Sequence, residues 1–261
     1  MVQERHSPTA LETVLRHDRW ALLVLVAVPI AAWIWIALMA RDMYGAMTGA
    51  AAWMMTPVWT WRDVLLLFAM WSVMMTAMML PSATPLILLY AAAARRSAEP
   101  DHAGRRIYAL AAGYLAVWSL FSSVATVLQR ALTSTTVLTP MMEPSSSTTV
   151  AILLGVAGLY QVTPLKRACL RACRSPLAFL LQHSRTGSAG AFSLGAAHGM
   201  YCVGCCWALM LLLFAGGVMN LTVILGLTAW VLVEKITPLG ERMTMASGVV
   251  LVGAAVWMLV G

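Results

Sequence analysis

Long apolar runs separated by short polar segments fill the chain from residue 20 onward. Seven of these runs approach the ~17–25 residues that a helix needs to cross a bilayer, although the fourth is short unless residues 145–149 join it. We therefore predict an all-α fold, a polytopic transmembrane helical bundle of about seven spans. The predicted spans cover residues 20–40, 64–90, 108–132, 150–161, 190–215, 218–233 and 244–260.

Two of these runs carry further signals. The second is long and contains Pro81 and Pro85, which predict a kink or a break because proline cannot donate the helical hydrogen bond. The first is longer than the apolar region of a cleavable signal peptide, so we interpret it as a retained anchor. Residues 1–18 form a polar N-terminal tail, and residues 1–261 read as one integral membrane domain.

Composition and charge support a membrane location. Only 10% of the residues are charged, whereas soluble domains carry about 25%. The net charge of +7 does not indicate nucleic-acid binding, because the charges sit in short clusters between apolar runs. With the N-terminus inside, 14 of the 17 Lys and Arg residues fall on the inner side. This bias predicts an N-in, C-out protein of an inner (cytoplasmic) membrane.

The fifth run contains one imidazole and three thiols within nine residues: His198, Cys202, Cys205 and Cys206. On a helix, these side chains fall within an arc of about 100°. Packing of small apolar thiols is one explanation, and His198 alone suits a core histidine bonded to a neighbouring helix. The Cys202–Cys205 spacing also suits thiol–disulfide exchange. A third thiol and an imidazole favour metal coordination.

The second run carries a stripe of methionines at four-residue spacing: Met70, Met74 and Met78. Methionine fills irregular space in cores, but thioethers and thiolates together select soft ions, above all Cu(I). One helical face supplies only part of a coordination shell. We therefore predict a copper site in which Met74 and Met78 complete the ligand set of the fifth run. A closed four-ligand zinc site fits this arrangement less well.

Other residues have weaker signals. Cys169 and Cys173, beside several arginines, read either as ordinary thiols or as an inner receiving point for the metal. The adjacent Glu234 and Lys235 predict an interfacial ion pair whose side chains reach toward water. Gly195 and Gly199 form a GxxxG strip that allows close packing of another helix. The outer loop of residues 41–61 is rich in methionine and suits collection of the ion. Glu143 is a weak candidate ligand for the incoming ion.

Several stretches together resemble a bacterial family of predicted metal-binding integral membrane proteins, a domain of unknown function with an HGxxCxGCCW motif. The resemblance covers most of the chain from about residue 64, and it implies an integral membrane protein that binds metal. The matching stretches are residues 74–82, 160–170, 173–176, 198–210, 217–221 and 234–235.

Three functions stay open at this point. The first is copper handling or transport at the intramembrane Cys/His/Met site, with a soluble metal-binding protein as partner. The second is the membrane subunit of a copper-dependent oxidase or oxygenase. The third is a membrane thiol–disulfide relay through Cys202 and Cys205. The expected surroundings are a lipid bilayer, with no nucleic acid, and the sequence is compatible with an oligomer.

Overall fold

The computed structural model describes residues 19–45, 60–97, 100–139, 141–183, 185–237 and 240–260. The polar tail and most of the Met-rich outer loop therefore lie outside the described residues. Within these ranges the regular elements are helical, apart from an isolated bridge between Leu138 and Pro144. The predicted all-α class is confirmed.

Ten α-helices follow one another along the described chain, with a short 3₁₀ turn at Pro100–His102 before the third. Their bounds are α1 Arg19–Met43, α2 Trp61–Arg95, α3 Ala103–Ser134, α4 Ser147–Gln161, α5 Pro164–Arg174, α6 Pro176–His183, α7 Gly187–Met210, α8 Leu212–Gly216, α9 Leu221–Ile236 and α10 Gly240–Val260.

Five stretches of the described residues are helical, long and apolar enough to cross a membrane. A sixth arises if α4 and α5, bent by 66° at their junction, count as one span. The bend is local in origin: Thr163 caps the N-terminus of α5 and Pro164 occupies its first turn, a position that suits proline. The predicted count of seven is not confirmed, because α9 has only 16 residues.

Helix α2 is continuous for 35 residues and contains both Pro81 and Pro85. Of the predicted kink or break at these prolines, the break is therefore wrong, and the kink stays a prediction. A capping interaction fixes the start of the helix, since the Thr60 backbone N–H donates to Asp63 Oδ2 at 2.7 Å.

Glycines let α3 and α7 pack backbone to backbone. A Cβ added to Gly195 would collide with the carbonyl of Leu110, and one added to Gly113 would collide with the carbonyl of Phe192. A Cβ built on Gly199, one turn after Gly195, would lie 3.2 Å from the carbonyl oxygen of Tyr114. The predicted close-packing strip thus contacts α3, and the contact brings Tyr114 beside the thiols of α7.

Candidate metal centre

The three thiols of α7 lie at the centre of the bundle. Cys202, Cys205 and Cys206 are 0–1% exposed. The thiol of Cys202 has two polar neighbours from other helices: Lys235 Nζ donates to its Sγ at 3.0 Å, and the Tyr114 hydroxyl oxygen lies 3.1 Å from it. The α7 thiols are therefore set among polar groups, which packing alone would not require.

The two polar neighbours of Cys202 are anchored to the proline-containing segment of α2. Lys235 Nζ also donates to Ser82 Oγ at 2.9 Å, and the Tyr114 hydroxyl donates to the carbonyl of Met79 at 2.9 Å. Three helices, α2, α3 and α9, thus converge on one sulfur of α7. Such convergence holds Cys202 Sγ in a single position.

The other two thiols face sulfur atoms of different helices. Cys206 Sγ lies 4.0 Å from Met79 Sδ on α2, and Cys205 Sγ lies 3.9 Å from Cys173 Sγ on α5. Metal–thiolate bonds of ~2.3 Å, the length in zinc sites, allow two sulfurs on one ion to be at most ~4.6 Å apart. Both pairs meet this limit, so either can share a soft ion without a large movement.

Both of these thiols also donate to the carbonyl of Cys202, at 3.1 Å from Cys205 and 2.9 Å from Cys206. These bonds to the preceding turn set the direction of each thiol. Since consecutive residues are rotated by about 100° on a helix, Cys205 and Cys206 face different neighbours. The predicted single ligand face is thus divided between α5 and α2.

Two further residues of the motif explain how α5 and α4 reach α7. A Cβ built on Gly204 would lie 2.7 Å from Cys169 Sγ, so only glycine leaves room for this thiol of α5. The Tyr160 hydroxyl of α4 donates to the Gly204 carbonyl, and its ring packs edge-on against Trp207 with centroids 5.0 Å apart. The motif therefore combines thiols with residues that dock two helices.

His198 lies one turn before Cys202, at the aromatic edge of the cluster. Its ring contacts Phe179 and Tyr114, with centroid distances of 5.2 and 5.8 Å. The residue is buried, and its Nδ1 has no hydrogen-bond partner within the described structure. Buried polar atoms almost always have a partner, so this nitrogen suits a ligand or a donor that binds there.

Met74 and Met78, the methionines predicted as ligands, are fully buried in the core of α2. The methionine whose sulfur contacts a motif thiol is Met79, and the roles of Met74 and Met78 stay predictions. Among the described residues, no three His, Cys, Asp or Glu side chains already surround one point in coordinating geometry. The structure instead brings sulfur atoms together in two separate pairs, Cys206 with Met79 and Cys205 with Cys173.

The interpretation of Glu234 and Lys235 as a shared interfacial pair is wrong, because the two side chains serve different neighbours. Glu234 is buried and pairs with Lys166 of α5 at 2.7 Å. It also accepts hydrogen bonds from Gln161 and Trp230, each at 2.9 Å. Lys235 is buried as well and faces Cys202. Both charges therefore lie inside the bundle.

Sequence reasoning missed two residues of this cluster, Tyr114 and Met79, and did not place Cys173 against the thiols of α7. Tyr114 carried no signal beyond its position in an apolar run, and Met79 lies outside the predicted stripe of methionines. Cys173, predicted as an ordinary thiol or an inner receiving point, lies on α5 against Cys205. Glu143, the carboxylate predicted to meet the incoming ion, is exposed and accepts from the Tyr44 hydroxyl at 3.3 Å.

Soft donors gathered among membrane-length helices indicate a class: a copper-related membrane protein. Residues 68–258, more than half of the chain, match the profile of the PpoB2 family, whose description is copper chaperone. The chain therefore belongs to this copper chaperone family. No curated protein and no solved structure matches the chain significantly.

Proposed function

We propose that this protein is a membrane copper chaperone that holds Cu(I) in the buried sulfur cluster of α7 and passes it to a partner protein. The observation that carries the proposal is the pairing of Cys206 Sγ with Met79 Sδ at 4.0 Å, beside the buried thiols of Cys202 and Cys205. Thiolate and thioether sulfur select Cu(I) over harder ions. The family description supports the same cargo.

The cargo site is proposed to use the three α7 thiols with Met79, and His198 as an additional ligand at the edge. Met74 and Met78, buried on the same helix as Met79, stay in the proposal as further ligands. Copper is bound and released as Cu(I), so the chain's own task is to supply soft donors and exclude water. Burial of all three thiols at 0–1% exposure suits that task.

We further propose that the chain crosses a bacterial inner membrane seven times, N-in and C-out. This topology needs α9 to cross, although its 16 residues span only ~24 Å. The inner bias of Lys and Arg supports it. A phosphatase reporter fused after residue 261, which is active only in an oxidising outer compartment, should be active. An inactive phosphatase fusion together with an active cytoplasmic reporter at the same position would contradict the seven crossings.

Competition for Cu(I) tests the cargo site. Purified protein is titrated anaerobically against the Cu(I) chelator bicinchoninate, first as wild type and then as Cys206→Ser. We expect wild type to withdraw copper from the chelator, and Cys206→Ser to bind at least about tenfold more weakly, or ~1.4 kcal/mol. Cys169→Ser, which changes a thiol of α5 next to Gly204, is the matched control and should bind like wild type.

Three outcomes would contradict the proposal. Wild type that competes no better than empty micelles would remove copper as the cargo. A copper-free protein whose Cys202 and Cys205 form a reversible disulfide would favour the thiol–disulfide relay instead. Oxygen consumption by the copper-loaded protein with a phenolic substrate would favour the oxidase subunit.

A further inference from the structure

All five cysteines are buried, and those of α5 are less deeply buried than those of α7. Cys202 and Cys205 are 0% and 1% exposed, and Cys173 is 9% exposed. The Cys205 and Cys173 sulfurs are 3.9 Å apart, which is within the ~4.6 Å that two sulfurs on one ion allow. An ion on Cys205 can therefore contact Cys173 without first leaving the cluster.

Helix α5 has the character of a surface element. It contains 11 residues, about 16 Å of helix, which is too short to cross a membrane. It turns away from α4 by 66°. Its outer face carries the side chain of Arg171, which is 69% exposed and only 3.9 Å from the exposed Glu241. One face of α5 thus meets the thiol cluster and the other meets water or headgroups.

We propose that Cys205 and Cys173 form a two-sulfur transfer station, through which Cu(I) leaves the α7 cluster toward the surface of α5. This inference rests on the proposed chaperone function. Cys173 is then the last ligand of this chain before a thiol of the acceptor protein. The acceptor is recognised by its chemistry, a Cu(I)-binding protein with an accessible thiolate.

The transfer is a ligand exchange without oxidation or reduction. A bond from Cys173 Sγ to copper forms while the bonds from Cys206, Met79 and Cys202 break, and copper stays +1 throughout. The proton lost by the Cys173 thiol goes to the released Cys206 thiolate, and Cys202 remains a thiolate that accepts from Lys235 Nζ. In the next two exchanges, thiols of the acceptor replace Cys205 and then Cys173, and each acceptor thiol gives its proton to the thiolate that it displaces.

Cys169 provides a matched control within the same helix. It is as exposed as Cys173, at 9%, and lies one turn earlier on α5. Its sulfur packs against Gly204, 2.7 Å from the place of a Cβ, whereas Cys173 contacts the Cys205 sulfur. The two thiols thus share a helix and a small exposed fraction but differ in their contact with the cluster.

Transfer kinetics test the proposal. Protein loaded with Cu(I) is mixed with excess bicinchoninate, and formation of the coloured complex is followed by stopped flow. We expect Cys173→Ser to retain the wild-type amount of copper at equilibrium but to release it at least about tenfold more slowly. Cys169→Ser should match wild type in both measurements.

Each other result has a definite meaning. Release from Cys173→Ser at the wild-type rate would overturn the transfer station and leave the chaperone function standing. Loss of copper from Cys173→Ser at equilibrium would also overturn it, because Cys173 would then be a resident ligand. Wild type without copper would remove the proposed function and this inference together.

A second measurement covers the case in which Cys173→Ser fails to fold. Two proteins are compared that keep only Cys173 with Cys205, or only Cys169 with Cys205, and the other cysteines are serine. Mild oxidation with diamide should form the 173–205 disulfide faster, as detected by mass spectrometry of peptides. Equal or slower formation than for the 169–205 pair would contradict the station.

Discussion

The buried ion pair between α5 and α9 holds the transfer helix in place, and its loss has a magnitude that follows from the structure. Lys166 Nζ lies 2.7 Å from Glu234 Oε2, and the two side chains are 0% and 2% exposed. Removing one partner of a buried pair costs about 3–5 kcal/mol, because it leaves a charge without compensation. Glu234 would keep its bonds from Gln161 and Trp230. We therefore expect Lys166→Met to cost ~3 kcal/mol, roughly a hundredfold in the unfolding equilibrium.

A double-mutant cycle checks this value. Unfolding in mixed micelles of increasing SDS fraction is measured for Lys166→Met, Glu234→Gln and the double variant. The double variant should recover much of the loss, since replacing both partners removes the isolated charge. Arg171→Met is the control: its pair with Glu241 is exposed and 3.9 Å long, so it should cost less than ~1 kcal/mol. Equal effects of Lys166→Met and Arg171→Met, or simple addition in the double variant, would refute the reasoning.

Three further predictions concern packing and ligand choice. Gly195→Ala should destabilise the protein by ~1–3 kcal/mol in the same SDS titration, because its Cβ meets the α3 backbone; Gly253→Ala, with open space around it, should not destabilise. Tyr114→Phe should cost ~1–2 kcal/mol, since it removes the donor to the α2 carbonyl; no change would contradict that bond. Met79→Leu should weaken Cu(I) binding in the bicinchoninate titration more than Met74→Leu does. The reverse order would indicate that Met74, and not Met79, is the ligand.

The helices were largely predictable because apolar length is a local property. The runs that gave α1, α2, α3, α7 and α10 are long, and each became a helix of membrane length. The run 218–233 is displaced from the helix that it predicted, because its first residues form a turn. Gly217 adopts φ +89°, and Asn220 caps the helix by accepting from Thr222 and Val223. Helix α9 therefore begins at Leu221 and ends at Ile236, and its 16 residues are as few as those of the run.

The site was predictable on one helix and unpredictable across helices. Periodicity places Cys202, Cys205 and Cys206 near one face, but it cannot say which helix meets each thiol. The neighbours Tyr114, Met79 and Lys235 come from three other helices, and for Tyr114 glycine contacts between α3 and α7 decide the approach. The bend before α5 then carries Cys173 back onto the cluster, which no local pattern indicates.

X-ray absorption at the copper edge of the loaded wild-type protein tests the central claim most directly. The claim is that sulfur atoms from α7 and its neighbours bind the ion as Cu(I). The account predicts the edge of Cu(I) and a first shell dominated by sulfur, with loss of sulfur neighbours in Cys206→Ser. A Cu(II) edge with a shell of nitrogen and oxygen, or a protein that retains no copper, would contradict it.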